Sequence, residues 1–160
     1  MDADGFIVAS DLTESGVDDA SVAVTMIQGL GPCIKRFTGD GAYDTRPVYE
    51  ALTAVGGGGV TVVIPPRKKP SGCASPNAVL QQRKAAIARI AEVGRRQWRK
   101  ESGAHKQARA ENMMLRYKRI IGGGLRARKM AAQTRETVIA VSVLNRMTRM
   151  GTPRSVAVVG

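Results

Sequence analysis

The stretch Val60-Thr61-Val62-Val63-Ile64 is the clearest strand signal in this sequence and the starting point for its fold class. A short apolar run of this kind is typical of a buried strand. Four glycines at residues 56–59 form a flexible break before it, and Pro65-Pro66 end it because proline cannot donate a hydrogen bond to a β ladder. We therefore expect a strand over residues 60–64 inside a sheet.

Strand and helix signals alternate in the residues that lead up to this strand. Two earlier strands and two helices are predicted, the strands at residues 5–12 and 33–38 and the helices at residues 20–30 and 46–55. The acidic pair Asp18-Asp19 favours the start of the first helix, and Pro47 favours the start of the second. This order predicts an α/β domain with a parallel component in its sheet.

The residues after the strand are basic and mainly helical. Residues 67–77 are rich in Pro, Ser and Gly and predict an exposed loop, and three helical patterns follow it at residues 80–98, 109–121 and 133–150. The last pattern has apolar residues on nearly all sides, which predicts a packed helix. The length of the chain favours a single domain over residues 1–160, with residues 65–100 as an insertion-like basic loop and helix within it.

The net charge of +12 is distributed unevenly along the chain. Residues 1–64 carry three basic and nine acidic side chains, whereas residues 65–160 carry 22 basic and four acidic ones. A basic half of this size attracts polyanions, because each Lys or Arg that neutralises a phosphate releases a counterion. Nucleic acid is the natural partner, and a solvated basic surface without a partner is the alternative.

The cysteine content and the hydropathy of the chain indicate its cellular location. Cys33 and Cys73 have no second Cys or His at ligand spacing, so neither a zinc site nor a disulfide framework is indicated. No apolar run approaches the length of a membrane span, and the first residues lack the plan of a signal peptide. We expect a cytoplasmic protein with no membrane partner.

The loop Gly39-Asp40-Gly41-Ala42-Tyr43-Asp44 follows the second predicted strand. Asp40 lies between two glycines at the carboxyl end of that strand, where open α/β sheets hold their functional residues. It is therefore a candidate catalytic residue and metal ligand, with an ordinary turn aspartate as the alternative. Asp44 precedes the next helix, and its position predicts a structural role as the helix cap.

Glu111 is the second candidate, on the predicted helix 109–121. Steps of 100° per residue place Glu111 and Lys118 almost in line at the margin of the apolar arc. An acid in so basic a half is either the partner of a neighbouring arginine or a ligand of a cation. If Asp40 and Glu111 converge, their oxygens suit Mg²⁺ or Mn²⁺, and two such ions stabilise an in-line phosphoryl displacement while surrounding basic residues hold nucleic acid.

Two parts of the chain resemble a known family. The string Phe37-Thr38-Gly39-Asp40-Gly41-Ala42-Tyr43-Asp44-Thr45, followed by Thr61-Val62-Val63-Ile64-Pro65-Pro66-Arg67, resembles the second-aspartate region of DDE transposases from the fifth insertion-sequence family, which is related to the fourth-family-like catalytic domain. Ala110-Glu111-Asn112-Met113-Met114-Leu115-Arg116-Tyr117-Lys118 resembles the family's catalytic-glutamate helix. Leu144-Asn145-Arg146-Met147 and Gly151-Thr152-Pro153 resemble its C-terminal end.

The resemblance implies a ribonuclease-H-like fold, with a mixed sheet flanked by helices, an insertion before the glutamate helix and a mainly helical C-terminal half. It implies metal-dependent cleavage at transposon ends, followed by attack of the freed 3′-hydroxyl on target DNA. Asp40 is then the second carboxylate of the catalytic triad, Glu111 the third, and Lys118 the basic residue that follows on the same helical face. The implied partners are transposon-end and target DNA and a second copy of the chain, and the location is the bacterial nucleoid.

The chain also departs from the family pattern. The family's first catalytic aspartate precedes the part that resembles residues 1–6, and neither Asp2 nor Asp4 stands in its position. We therefore expect a domain that lacks its first strand, has an uncovered sheet edge and self-associates, and neither nicks nor joins DNA alone. A missing N-terminal part supplied by another product, a decayed remnant, and a non-enzymatic basic DNA-binding protein remain the three alternatives.

The expected DNA contacts lie around the glutamate helix. Ala104 and Gln107 stand where the family usually has Tyr and Arg, so Lys106 and Arg109 replace those contacts only in part. The predicted DNA-binding residues are Lys106, Arg109, Arg116, Lys118 and Arg119.

Overall fold

A computed structural model describes residues 1–67 and 78–151, apart from the side chain of Lys106. The described chain is a mixed α/β protein and is mostly helical. Its helices are α1 (Asp19–Leu30), α2 (Arg46–Gly56), α3 (Ala78–Ser102), α4 (Ala108–Ile120) and α5 (Met130–Met150), and its strands are β1 (Arg36–Thr38) and β2 (Thr61–Val63). The prediction of an α/β class is confirmed at this level.

The described sheet has two parallel strands joined by α2. Arg36 lies opposite Thr61, and Thr38 lies opposite Val63. The parallel ladder continues past both ends of β1, because the Thr61 amide donates to the Lys35 carbonyl at 3.0 Å and the Gly39 amide donates to the Val63 carbonyl at 3.2 Å. The prediction of the second and third strands and of a parallel component in the sheet is therefore confirmed, although the strands are shorter than the apolar runs.

A glutamine side chain covers the other edge of β2. The Val62 amide donates to Oε1 of Gln82 at 2.9 Å, and Nε2 of Gln82 donates to the Val60 carbonyl at 2.8 Å. These are the backbone groups that point away from β1, and a buried backbone group without a partner is costly. The expected open edge is thus closed at this point by the amide of Gln82.

Residues 5–12 do not form the predicted strand. Among the described residues, the backbone of Ile7 pairs with a side chain: its amide donates to Oδ1 of Asn145 at 2.8 Å, and its carbonyl accepts from Nδ2 at 2.9 Å. The apolar pattern therefore predicts a strand that the structure does not have. It cannot indicate that an asparagine 138 residues away takes the place of a neighbouring strand.

Helices α1 and α2 begin and end where the sequence predicts. Asp18 caps α1, with its Oδ2 accepting from the Ser21 amide at 3.0 Å. Pro47 stands in the first turn of α2, and Gly57 after its end adopts φ 54, the left-handed conformation that glycine takes without strain. Both helices are therefore bounded by local signals.

The chain forms two compact units, each described by itself. The central unit is Thr13–Ala108, and the terminal unit is Met1–Leu12 together with Arg109–Gly160. The core of the central unit is built from buried side chains of the first three helices and of residues around β2, among them Ile27, Val48, Tyr49, Leu52, Val60, Val79 and Leu80. A second cluster packs Val63, Trp98 and Ala104 together.

Helix α3 is broken at Gly94, whereas the sequence predicts one unbroken helix over residues 80–98. Gly94 has φ 81 and ψ 158, which no α-helical residue adopts. Arg89 Nε lies 2.9 Å from Oε2 of Glu101, twelve residues later, although a straight helix would separate these residues by about 18 Å. The chain therefore reverses at Gly94, and this reversal brings Trp98 back against Ile90 and Val93.

In the terminal unit, α5 is packed on one face only. Ala140 and Leu144 are buried, whereas Val138 and Ile139 are 56% and 64% exposed. The prediction of a helix packed on nearly all sides is correct for the inner face and wrong for the outer one. A membrane-spanning helix is absent from residues 1–67 and 78–151, where none is both long and apolar enough.

Candidate functional site

Asp40 lies at the carboxyl end of β1, as predicted, and its side chain is exposed. Its Oδ1 accepts from the Ala42 amide at 2.6 Å, which caps a short 3-10 turn over Gly41–Tyr43. A cap of this kind uses one oxygen lone pair and leaves the rest of the carboxylate open to solvent. Asp40 is therefore both a turn aspartate and an accessible ligand, so the two sequence interpretations are compatible.

The two glycines beside Asp40 have different roles. A Cβ on Gly39 would lie 2.9 Å from Cδ2 of Tyr43 and 3.1 Å from Cε1 of Phe37, whose rings meet edge to face at 6.0 Å. A Cβ on Gly41 would meet its nearest atom at 3.5 Å, an ordinary contact. Close approach of two aromatic rings thus requires a glycine at position 39 only.

The carboxylate of Asp44 holds the Asp40 loop in place. Its fully buried carboxylate accepts from Arg83 Nε at 2.6 Å and Nη2 at 2.8 Å, from the Tyr49 hydroxyl at 2.9 Å, and from the Arg67 amide at 2.7 Å. Four donors on one carboxylate tie the Asp40 loop to α2, to α3 and to the residues after β2. The predicted structural role of Asp44 is correct, but the predicted cap is wrong, because the N-cap of α2 is Thr45.

These contacts keep Asp44 ionised. Burial raises the pKa of the Asp44 carboxyl, but hydrogen bonds from Arg83, the Arg67 amide and Tyr49 outweigh burial, and the net pKa is lowered. A buried charge is tolerated when it is paired and hydrogen-bonded in this way. The loop therefore rests on a charged and fully partnered side chain.

The surroundings of Asp40 are acidic. Burial and the negative charges of Asp19, Asp40 and Asp18 together raise the pKa of Tyr43, which packs under the loop. Asp18 and Asp19 stand at the start of α1, so α1 and the Asp40 loop present negative charge on one side of the central unit. These carboxylates attract cations, whereas Arg67, whose Nε donates to the Gly41 carbonyl, places one positive charge against the same loop.

Glu111 lies on the exposed side of α4 in the terminal unit. Lys118, seven residues on in the same continuous helix, is also exposed, so the predicted alignment of the two side chains holds. Exposed Met114 and Leu115 stand on either side of this line. Within the described residues Glu111 has neither a hydrogen bond nor an ion pair, so its pairing with a neighbouring arginine is not observed.

The five basic residues predicted to bind DNA are in different situations. Lys118 and Arg119 are exposed on α4, and the side chain of Lys106 lies outside the described residues. Arg116 is half-buried and donates to Oγ1 of Thr148 at 3.0 Å, and Arg109 donates to the Ala3 carbonyl at 3.0 Å. Arg116 and Arg109 thus make structural contacts within the terminal unit, while Lys118 and Arg119 are free to meet a partner.

A divalent metal is the cofactor that the two carboxylates suggest. Carboxylate oxygens are the ligands that Mg²⁺ and Mn²⁺ prefer. Asp40 belongs to the central unit and Glu111 to the terminal unit. No cluster of three His, Cys, Asp or Glu side chains occurs in the part of the chain that the structure describes. The donor chemistry fits a hard cation, but neither unit by itself holds a complete set of protein ligands.

Sequence reasoning missed Arg83 and its role. The signal was present, because Arg83 follows Val79 by one helical turn and so occupies the apolar face of α3. An arginine on a buried face requires an anionic partner, and Asp44 is the acid next to the candidate site.

The predicted Gly151-Thr152-Pro153 match and Cys73 fall largely outside the described residues. A scan of protein-family models finds no match to this chain, and a search of the solved structures finds no match either.

Proposed function

We propose that this chain is the catalytic part of a DDE transposase with a ribonuclease-H-like fold, which cleaves and transfers DNA strands at the ends of an insertion sequence. Asp40 and Glu111 are its second and third catalytic carboxylates and ligands of Mg²⁺ or Mn²⁺. Lys118 and Arg119 contact the DNA backbone. The protein acts in the bacterial cytoplasm, on the nucleoid, and works as a dimer because two transposon ends must be held together.

The observation that carries the proposal is the exposed Asp40 carboxylate on an anchored loop at the carboxyl end of β1. The two aspartates of this loop differ in burial and in hydrogen bonding. Asp44 is buried and accepts four hydrogen bonds, whereas Asp40 is exposed and accepts one, from a backbone amide. A metal ligand must be held in position and remain accessible. Asp40 meets both conditions, and the acidic surroundings favour a cation there.

Glu111 gives independent support. It is exposed and unpaired among the described residues, although residues 109–151 contain ten basic side chains and only one other acid. The positions three and four residues from Glu111 hold Gln107, Ala108, Met114 and Leu115, so its own helix offers no cation at ion-pair spacing and the carboxylate stays open to a ligand. Metal ligation and alignment with Lys118 account for such an arrangement.

Mn²⁺ binding tests the two carboxylates directly. Isothermal titration of the purified chain with Mn²⁺ should show a site that Asp40→Asn and Glu111→Gln each weaken by more than about 10- to 100-fold, the loss typical of a residue that only supports a ligand. Glu50→Gln is the matched control, since Glu50 is an exposed acid of the central unit that pairs with Arg46. Wild-type Mn²⁺ affinity in both site variants would disprove the assignment.

Strand transfer needs a third carboxylate, which the matching positions of this sequence do not supply. We expect the purified chain to show no Mg²⁺-dependent nicking of an end-bearing duplex, because loss of one ligand of a metal triad removes most of the catalysis. Translation of the DNA before the Met1 codon in all three frames tests whether a strand with an aspartate is encoded there. Joining such a segment to this chain should restore nicking.

A non-enzymatic nucleic-acid-binding protein is the second candidate. The strong excess of positive charge in residues 109–151, together with the incomplete ligand set of each unit, favours it. The two candidates differ in what the carboxylates do. If Asp40→Asn and Glu111→Gln leave both Mn²⁺ binding and salt-sensitive DNA binding unchanged, the second candidate is correct.

A further inference from the structure

The outer face of α5 is a surface of the terminal unit for which the proposed function has no use. The inner face of the helix buries Ala140 and Leu144. On the opposite side the exposed residues are mainly aliphatic side chains and arginines, with one serine among them, namely Arg135, Val138, Ile139, Ser142, Val143, Arg146, Arg149 and Met150. A surface helix normally places polar residues on its outer face, so the aliphatic members indicate an unfilled contact.

The three arginines form a row. At 100° per residue, Arg135, Arg146 and Arg149 fall within an arc of about 60°, and the row extends about 21 Å along the helix axis. A nucleic-acid strand carries one phosphate per ~3.4 Å of helix axis. The row is therefore long enough to follow the backbone over about six nucleotides.

A groove lies at the C-terminal end of this row. It has a volume of about 530 Å³ and is lined by Ser142, Asn145, Arg146, Arg149 and Met150. The amide of Asn145 is held by its two hydrogen bonds to the Ile7 backbone, so the wall it forms is fixed. Arg146 and Arg149 are one helical turn apart at this groove, with their guanidinium groups exposed.

Positive charge on this face is not neutralised. Hydrogen bonds from the Arg126 and Ala127 amides lower the pKa of Glu136, the one acid on α5, and these bonds commit its carboxylate to the preceding loop. Among the described residues, Arg146 and Arg149 have no ion pair. The face therefore repels a second copy of itself and attracts a polyanion.

We propose that the outer face of α5 is a docking surface for a nucleic-acid backbone, with Arg146 and Arg149 on neighbouring phosphates, Arg135 on a phosphate about five nucleotides away, and the flanking aliphatic side chains against the sugars. The proposal rests on the proposed function for the identity of the partner, DNA. It adds a second DNA-contacting region to the one formed by Lys118 and Arg119 of α4. An acidic protein segment is the other occupant that arginines and aliphatic residues would suit.

The test is binding of a 20-base-pair duplex to the full chain, measured by fluorescence anisotropy over a range of salt concentrations. Each lost phosphate contact lowers the slope of log affinity against log salt by about 0.9, so Arg146→Gln with Arg149→Gln should lower it by about 1.8. At 0.1 M salt this corresponds to roughly 60-fold weaker binding if the non-electrostatic part is unchanged.

The matched control is Arg96→Gln with Arg99→Gln on α3. These arginines are exposed, three residues apart and carry the same charge, so the control removes equal net charge from the central unit. We expect a clearly smaller change in slope. Circular dichroism should be unchanged in both double variants, because all four side chains are exposed.

Three results would overturn the proposal. Equal slopes for the two double variants show that net charge, and not this face, governs binding. An unchanged slope for Arg146→Gln with Arg149→Gln shows that the duplex does not contact this face, and favours an acidic protein segment as its occupant. In both cases Mn²⁺ binding at Asp40 and Glu111 is untouched and the proposed function stands. No salt-dependent binding of duplex by the wild-type chain would remove both proposals.

Discussion

Replacement of Arg83 by Met should destabilise the central unit more than any exposed charge change. The substitution leaves the Asp44 carboxylate buried without its cation, and loss of one partner from a buried ion pair costs about 3–5 kcal/mol of unfolding free energy. Tyr49 and the Arg67 amide still donate to Asp44, which places the expected cost near about 3 kcal/mol. Urea denaturation of the purified chain, followed by circular dichroism, measures it.

The Asp44–Arg83 pair also predicts that the free energy of unfolding decreases at acid pH. Because the folded pKa of Asp44 lies below its ordinary value of 3.8, the carboxylate adds stability at all pH values above about 4. This stability is lost as pH falls through the lower folded pKa, since the unfolded chain then binds the proton more readily. The Arg83→Met variant loses the contact that lowers the folded pKa of Asp44 most, so this pKa rises and the loss of stability at acid pH should move to higher pH.

Two controls make this prediction decisive. Arg46→Met removes an arginine from the exposed pair with Glu50 and should cost much less, because solvent screens that pair. The double variant Asp44→Asn with Arg83→Met should cost less than the two single variants together, by about 0.5–3 kcal/mol. Additive single effects, or equal costs for Arg83→Met and Arg46→Met, would refute the view that this buried pair anchors the loop.

Five further substitutions test other contacts. Gly39→Ala should destabilise the chain by about 1–3 kcal/mol in urea, because its Cβ overlaps two rings, whereas Gly41→Ala should be close to neutral. Gln82→Ala should speed amide hydrogen exchange at the edge of β2, and unchanged exchange would contradict its bridging role. Asn145→Leu should make the N-terminal segment sensitive to limited proteolysis. Trp98→Ala should cost about 3–5 kcal/mol, and the wild-type fluorescence should be that of a buried indole.

The elements that the sequence predicts correctly are those bounded by local signals. Helix α2 follows from Pro47 and the glycines after it, and β2 follows from its apolar run and two prolines. The position of Asp40 after β1 follows from the same alternation. These features depend on residues within a few positions of each other, and single-chain patterns contain that information.

The features that the sequence could not predict depend on distant side chains. The sequence predicts a local cap at Asp44 because its partner Arg83 is 39 residues away, and it predicts a strand over residues 5–12 because Asn145, which binds Ile7, is 138 residues away. An apolar pattern reports which residues avoid water but does not identify the groups that satisfy their backbone. The outer face of α5 was missed for the same reason, since hydropathy alone does not show which side is covered.

The reversal at Gly94 determines where this chain tolerates a change in length. A Cβ at Gly94 would have no described atom within 4 Å, and the residue is exposed. An extra residue inside α3 would rotate everything after it by about 100° and carry Trp98 out of its cluster. At Gly94 the same insertion only enlarges an exposed turn, so a peptide tag or a fluorophore-bearing loop placed there leaves both packed stretches in register.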